Sequence, residues 1–286
     1  MILRVILDVV LYVNVCYILV FVMMFKRYRW FKLLKNFRKI NSKAKQSYYV
    51  VFFLAHLLYV ATSALIVYVW ILVLGEIFIK LYVIEYFLIY YLFYYLLFNY
   101  IILNMLLSRY RQQNALMSIA AFKKPNLLKV RRDLLTLKQT VGIFNDIFGW
   151  NFLFNIFFIV TRTLIYLDMV LKRLFHHFDD QGTVWSVLHF VSNMLMMAIF
   201  WVGFTGVAFT CDSILKEYNS ILAASHKMVP STKWHLHKND EIHAFVSSIS
   251  NYRPNFTAAR FFSIDRSTVF SVLNSVSTFL IVIIQF

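Results

Sequence analysis

The chain has 286 residues, of which 61% are hydrophobic and 15% charged, and its formal net charge at neutral pH is +16. A water-soluble domain of this size could not cover so much apolar surface, so the composition excludes that class and indicates an integral membrane protein. The charge does not indicate nucleic-acid binding, because the basic residues lie between apolar segments.

Six apolar segments approach or exceed the length of about 20 residues that a helix needs to cross the hydrocarbon core. The fourth carries Arg162 and Asp168, which are unusual within a membrane but do not overturn the prediction. The first is longer than a signal-peptide core and lacks a small-residue cleavage site, so we expect it to be retained. The predicted spans are 3–25, 48–74, 81–107, 147–171, 185–211 and 265–286.

The connections between these segments alternate in charge. Most of the 29 Lys and Arg residues fall in 26–45, 108–140 and 212–260. The positive-inside rule assigns these connections to the cytoplasm. Both termini and the short connections 75–80 and 172–184 are then expected outside.

Two of the basic connections also contain helical patterns. Leucines recur at helical spacing in 108–140, which predicts that the flanking helices continue through it and pack together. Residues 240–253 predict a short amphipathic helix that ends before Pro254. Its apolar face consists of Ile242, Phe245, Val246 and Ile249.

The last segment carries one narrow, mainly polar stripe, and the opposite face of the helix consists of Val, Phe, Leu and Ile. Lipid cannot satisfy amides and hydroxyls, so the stripe must contact protein or water. Either it bonds a neighbouring helix, or it lines a wet conduit with an apolar narrow point, and periodicity leaves both open. The stripe consists of Ser267, Ser271, Asn274, Thr278, Ile281 and Gln285.

A conduit would require several copies of the chain around a closed symmetry axis, because one stripe cannot enclose a channel. The middle of the stripe has no charged residue. Hydroxyl and amide dipoles would pass cations while discriminating weakly among them.

The stretch 261–286 resembles the final helix of insect gustatory receptors. That helix is marked by Thr-Tyr, five hydrophobic residues and Gln-Phe, and this chain reads Thr278-Phe279-LIVII-Gln285-Phe286. It departs from the pattern at Phe279, where the family usually has Tyr. A weaker likeness extends over about residues 100–286 and includes Asn145-Asp146-Ile147-Phe148-Gly149.

The resemblance implies an all-α integral membrane protein like insect gustatory and odorant receptors, with cytoplasmic helical extensions, and the apolar segments predict six spans. Residues 1–211 would form a ligand-binding bundle, 212–264 a cytoplasmic loop with a short anchor helix, and 265–286 the pore-lining helix. Ile281 would be the constriction, with Gln285 and Phe286 at an extracellular gate. Family members have seven spans, so six suggest that the first is missing.

The resemblance further implies a chemosensory subunit in the plasma membrane, with its C-terminus extracellular. It would form a homo- or hetero-tetramer with other gustatory receptor subunits. A small-molecule tastant would open a non-selective cation channel for Na⁺, K⁺ and Ca²⁺.

Candidate ligand contacts lie in the outer halves of the spans, where ionisable and aromatic groups are candidates for function. A charge at such a depth can instead be structural, and Arg162 could pair with Glu85 or Asp168. The candidates are Tyr68, Trp70, Glu85, Tyr86, Arg162, Tyr166, His189 and Asn193.

Two other functions are compatible with the same pattern. The chain could be a metabotropic multi-span receptor, or a transporter or scaffold in which the stripe joins helices. No nucleotide loop, zinc-protease helix or nucleophile elbow occurs, so we expect no enzyme. We also expect no cofactor, no metal site and no nucleic-acid partner.

Overall fold

The computed structural model describes residues 2–40, 48–119, 124–175, 183–231 and 236–285, and these are almost entirely helical. A two-stranded hairpin precedes the last helix, and α1 continues into a π-helical segment, Tyr17–Phe25. The elements in chain order are α1 Ile2–Cys16, α2 Arg27–Lys39, α3 Tyr48–Leu74, α4 Glu76–Ile119, α5 Lys124–Phe175, α6 Thr183–Ser231, α7 Leu236–Ser250, β1 Thr257–Ala258, β2 Phe262–Ser263 and α8 Arg266–Gln285.

Within the described residues, five helical segments are long and apolar enough to cross a membrane. Arg266–Val282 is a shorter apolar helix. The prediction of an all-α membrane protein is confirmed, including a helix at the fourth span despite Arg162 and Asp168. The five segments are Arg4–Phe25, Tyr49–Leu72, Tyr82–Met117, Leu127–Leu171 and Phe190–Lys227.

The helices are longer than their apolar cores. α4 runs on to Ile119 and α5 begins at Lys124, as the helical pattern in 108–140 predicts. α7 confirms the predicted amphipathic helix, because all four residues of its apolar face are buried. After residue 211 the structure continues α6 through Ser231, where the sequence indicated a loop. The reason is a buried face formed by Ile214, Tyr218, Ile221 and Ser225.

Four asparagines form a buried hydrogen-bonded cluster that joins α1, α4 and α5. Asn14 donates to Asn155 Oδ1 at 3.2 Å, and Asn155 donates to Asn151 Oδ1 at 3.0 Å. Asn151 donates to Asn14 Oδ1 at 3.0 Å, and Asn99 donates to Asn151 Oδ1 at 3.2 Å. Amides within an apolar bundle are costly without partners, so the cluster fixes how these three helices pack.

Arg109 is a buried arginine of α4 that caps the C-terminal end of α2. Its guanidinium donates to the carbonyl oxygens of Phe37 and Ile40 at 3.1 and 3.2 Å. The last carbonyls of a helix lack partners within the helix, and a cation at that end also interacts favourably with the helix dipole. Arg109 is therefore a capping residue that joins α2 to α4.

The hairpin before α8 is fixed to α5 by the segment that includes Asn145 and Asp146. Asn145 donates to the carbonyl oxygen of Asn255 at 2.6 Å and accepts from the Thr257 amide at 3.3 Å. Asp146 pairs with Arg260 at 3.3 Å, and also with Arg29 of α2. The start of α8 is thus positioned by α5.

Gly149 allows the hairpin to approach α5 closely. A Cβ at this position would lie 2.9 Å from the Ala259 amide nitrogen and 3.2 Å from the Thr257 carbonyl oxygen. Both neighbours are backbone atoms, so neither can move aside as a flexible side chain can.

We expect Gly149→Ala to destabilise the protein by about 1–3 kcal/mol, because the methyl group overpacks the contact between α5 and the hairpin. The matched control is Gly142→Ala in the same helix, where a Cβ would meet nothing within 4 Å. Thermal melting of the purified protein in detergent should show a lower Tm for Gly149→Ala alone. Equal melting temperatures for the two variants would contradict the close approach.

Candidate functional site

A cavity of about 340 Å³ lies among α1, α3, α4, α5 and α6. It is at the end of the bundle where α3 ends and α4 begins, opposite the end that carries the basic segments. Its walls combine aromatic, charged and aliphatic side chains. The lining residues are Arg4, Leu7, Trp70, Phe78, Tyr82, Glu85, Tyr86, Arg162, Ile165, Tyr166, Asp168, Met169 and Asn193.

One wall of the cavity is a continuous polar chain across three helices. Arg162 donates to Glu85 Oε1 at 3.0 Å and to the Tyr166 hydroxyl at 2.9 Å. The Tyr166 hydroxyl donates to Asn193 Oδ1 at 2.8 Å. Glu85 balances the guanidinium charge, so the ion pair is stable at a depth where a single charge would be costly.

A second part of the lining is a series of packed aromatic rings. Trp70 of α3 stacks on Phe78 with ring centroids 5.7 Å apart, and Phe78 stacks on Tyr82 at 5.3 Å. Tyr86 meets Phe78 edge to face at 5.6 Å. The Arg4 guanidinium lies over the Tyr82 ring at 5.1 Å.

Rigid aromatic rings together with a few fixed polar groups are the usual composition of a small-molecule site. The cavity can therefore hold a compact ligand that has an apolar face and a hydrogen-bonding edge. The charges of the polar wall are paired within the protein, so the ligand need not supply a counter-charge to Arg162 or Glu85.

The structure brings six of the eight predicted ligand contacts to this cavity. Tyr68 is 57% exposed and is not part of the lining, because it points away from the side of α3 that carries Trp70. The side chain of His189 lies outside the described residues. The six are Trp70, Glu85, Tyr86, Arg162, Tyr166 and Asn193.

Sequence reasoning did not select Arg4, Phe78 or Tyr82. Phe78 and Tyr82 precede Tyr86 by eight and four residues, which places all three on one face of α4. That spacing could have identified them. Arg4 had no comparable signal, because only the packing of α1 against α4 brings it to the cavity.

The second candidate site is the exposed face of α8. Val269 and Val276 are buried against the rest of the subunit, while Ser267, Ser271 and Asn274 are exposed. At about 100° per residue, the stripe is centred on the side opposite the buried valines. Thr278 is also exposed, and Ile281 is 56% exposed. The Gln285 side chain and Phe286 lie outside the described residues.

The polar groups of this face differ in whether they form hydrogen bonds within the described part of the chain. The Thr278 hydroxyl donates to the Asn274 carbonyl oxygen at 3.0 Å, a bond within the helix. The side-chain amide of Asn274 forms no hydrogen bond with the described residues. It therefore needs a partner outside them, which lipid tails cannot provide.

The start of α8 is capped and tied to α6. The Thr268 amide donates to Asp265 Oδ1 at 3.2 Å, and the Asp265 amide donates to Thr268 Oγ1 at 3.3 Å, a reciprocal cap. Partial burial opposes ionisation of Asp265, but hydrogen bonds from Ser267 and Thr268 outweigh it and hold the pKa of this carboxyl below its usual range. Arg266 pairs with Asp212 of α6 at 2.9 Å.

Comparison with known proteins gives one family. The family model described as 7tm Chemosensory receptor matches residues 3–286, nearly the whole chain. This confirms the resemblance inferred from the terminal helix. No curated protein matches the chain.

We expect Arg162→Met to destabilise the protein by about 3 kcal/mol, because the change leaves Glu85 without its counter-charge in a low-dielectric setting. The double variant Arg162→Met, Glu85→Gln should recover much of this loss, since no isolated charge remains. Thermal melting of the single and double variants measures the coupling between the two residues. Additive decreases in Tm would show that the ion pair does not stabilise the cavity.

Proposed function

We propose that this chain, which belongs to the 7tm chemosensory receptor family, is a gustatory receptor subunit that forms a ligand-gated cation channel. A small-molecule tastant binds in the cavity and opens a pore lined by α8. The subunit resides in the plasma membrane with its C-terminus outside, and it assembles as a homo- or hetero-tetramer with other gustatory receptor subunits.

The observation that carries this proposal is the orientation of α8. Its polar stripe is exposed and does not pack against the helices of its own chain that the structure describes. In a closed ring of subunits the same orientation lets every copy face a common axis. Water and ions on that axis would satisfy Asn274 and the serine hydroxyls, as lipid could not.

The composition of the stripe supports weak selectivity. Ser267, Ser271, Asn274 and Thr278 offer neutral dipoles, which replace part of the water around Na⁺, K⁺ or Ca²⁺ without a strong preference. Ile281 is the aliphatic member of the stripe, and Gln285 and Phe286 follow it. A narrow apolar ring at Ile281 would close the pore by excluding water.

The link between the cavity and the pore runs through α5 and α6. Arg162 and Asn193 belong to the same two helices that hold the start of α8 through Asp146 and Asp212. A tastant that fits the open arrangement better shifts the population towards it. The ligand's preference for that arrangement limits the free energy available for opening.

We expect Ile281→Ala to raise the ligand-independent current several-fold, because a smaller ring hydrates more readily. Gln285→Ala should change the relative permeability to Na⁺, K⁺ and Ca²⁺. The matched control is Leu273→Ala, an exposed aliphatic position of α8 that lies off the stripe. Whole-cell recording from cells that express the chain alone, and with a co-receptor, measures all three.

Two other functions predict different recordings. A metabotropic receptor would give currents that require G protein and do not change with Ile281 or Gln285. A transporter or scaffold would give no ligand-gated current, and its Ile281→Ala variant would behave like Leu273→Ala. Either result would reject the channel.

A further inference from the structure

The outer face of α2 is a basic and aromatic surface with no partner among the described residues. α2 contains no acidic residue, and its Leu33 and Phe37 are buried against the bundle. The opposite side exposes Tyr28 and Phe31, which are 77% and 59% exposed. We call this side the α2 face. Its exposed basic residues include Arg27, Lys32, Lys35 and Arg38, and Lys39 is exposed at the end of the helix, where its charge acts on Asp133.

These four cations differ from the other basic residues near them. Arg29 is paired with Asp146, and Lys26 donates to the carbonyl oxygen of Asp146 and to the Tyr17 hydroxyl. Arg27, Lys32, Lys35 and Arg38 form no ion pair within the described part of the chain. The guanidinium of Arg27 lies 5.7 Å from the centre of the Phe31 ring, so charge and aromatic surface are presented together.

The position of the α2 face relative to the membrane limits what can bind it. The first apolar span ends at Phe25, and α2 begins at Arg27. A helix rises about 1.5 Å per residue, so Tyr28 and Phe31 lie within about 10 Å of the end of the span. That distance corresponds to the headgroup layer, where aromatic rings and basic side chains are both favourable.

We propose that the α2 face binds the headgroups of anionic phospholipids in the cytoplasmic leaflet. Arg27, Lys32, Lys35 and Arg38 contact the phosphate groups, and Tyr28 and Phe31 enter the boundary between headgroups and acyl chains. Charge complementarity selects an anionic lipid, and the exposed rings beside the span select a lipid over a soluble anion. This site goes beyond the proposed function and depends only on the cytoplasmic location of the basic segments.

Because α2 packs on α5 and bonds Asp146, a lipid held there would also act on the segment that positions α8. The anionic lipid content of the membrane would then influence channel opening. Binding can be measured on the purified protein without any tastant, so its failure is distinguishable from failure of the channel proposal.

The test uses the full chain in mild detergent and short-chain lipids as probes, with binding measured by microscale thermophoresis. We expect dioctanoyl phosphatidylinositol 4,5-bisphosphate to bind at least about tenfold more tightly than dioctanoyl phosphatidylcholine. Dioctanoyl phosphatidylserine should lie between them. Inositol 1,4,5-trisphosphate, which lacks acyl chains, should bind at least about tenfold more weakly than the bisphosphate lipid.

The variant Arg27→Gln, Lys32→Gln, Lys35→Gln, Arg38→Gln should reduce affinity for the bisphosphate lipid at least about tenfold. The control Lys129→Gln, Arg131→Gln, Arg132→Gln, Lys227→Gln removes the same charge from exposed positions elsewhere and should retain binding. Phe31→Ala should weaken the binding of the bisphosphate lipid but not the binding of inositol trisphosphate. The order of the wild-type protein's affinities for the probes remains a test even if the variant with four substitutions does not fold.

Three outcomes would overturn the proposal. Equal affinity for inositol trisphosphate and the bisphosphate lipid would assign the α2 face to a soluble anion. Equal losses of affinity in the two variants that carry four substitutions would show that binding follows net charge alone. Tighter binding of a single-stranded RNA than of any lipid would assign the face to nucleic acid.

Discussion

The low polarity of the lipid interior requires each polar group within a membrane helix to find a partner in the protein or in enclosed water. Most of this fold satisfies that requirement internally. The four clustered asparagines bond one another, and Arg162 is paired with Glu85. These contacts cross between helices, so they determine how the helices pack as well as satisfying polar groups.

The stripe of α8 is one place where a single chain does not meet the requirement alone. Asn274 and the neighbouring hydroxyl groups are exposed on the side opposite the helix's buried valines. A single subunit in lipid would leave the Asn274 amide unsatisfied. In the proposed assembly around an aqueous axis that cost would be removed, and the same polar groups would provide the path for ions.

The arrangement of α5 explains how a distant cavity could act on α8. This one helix carries Asn145, Asp146 and Gly149 near the hairpin and, about ten residues beyond Asn151, Arg162 at the cavity. Asn151 and Asn155 lie between them and join α5 to α1 and α4. In the proposed channel, a change at Arg162 would be transmitted along a helix that is fixed by contacts at three levels.

The sequence by itself determined the membrane class, the positions of the apolar helices, the buried face of α7 and the stripe of α8. These are periodic patterns, and a helix expresses its own periodicity wherever it packs. The terminal motif also led to the family. Six cavity residues could be selected because polar and aromatic side chains within a span are unusual enough to be noticed.

Only the tertiary structure decided which of these residues meet. Arg4 joins the cavity and Tyr68 does not, because the rotation of each helix about its own axis depends on its neighbours. The asparagine cluster needs α1, α4 and α5 in one register, and no segment alone encodes that contact. The side of α8 that remains uncovered was likewise decided by packing, since α8 packs on α5 and α6 with the valines opposite the stripe buried.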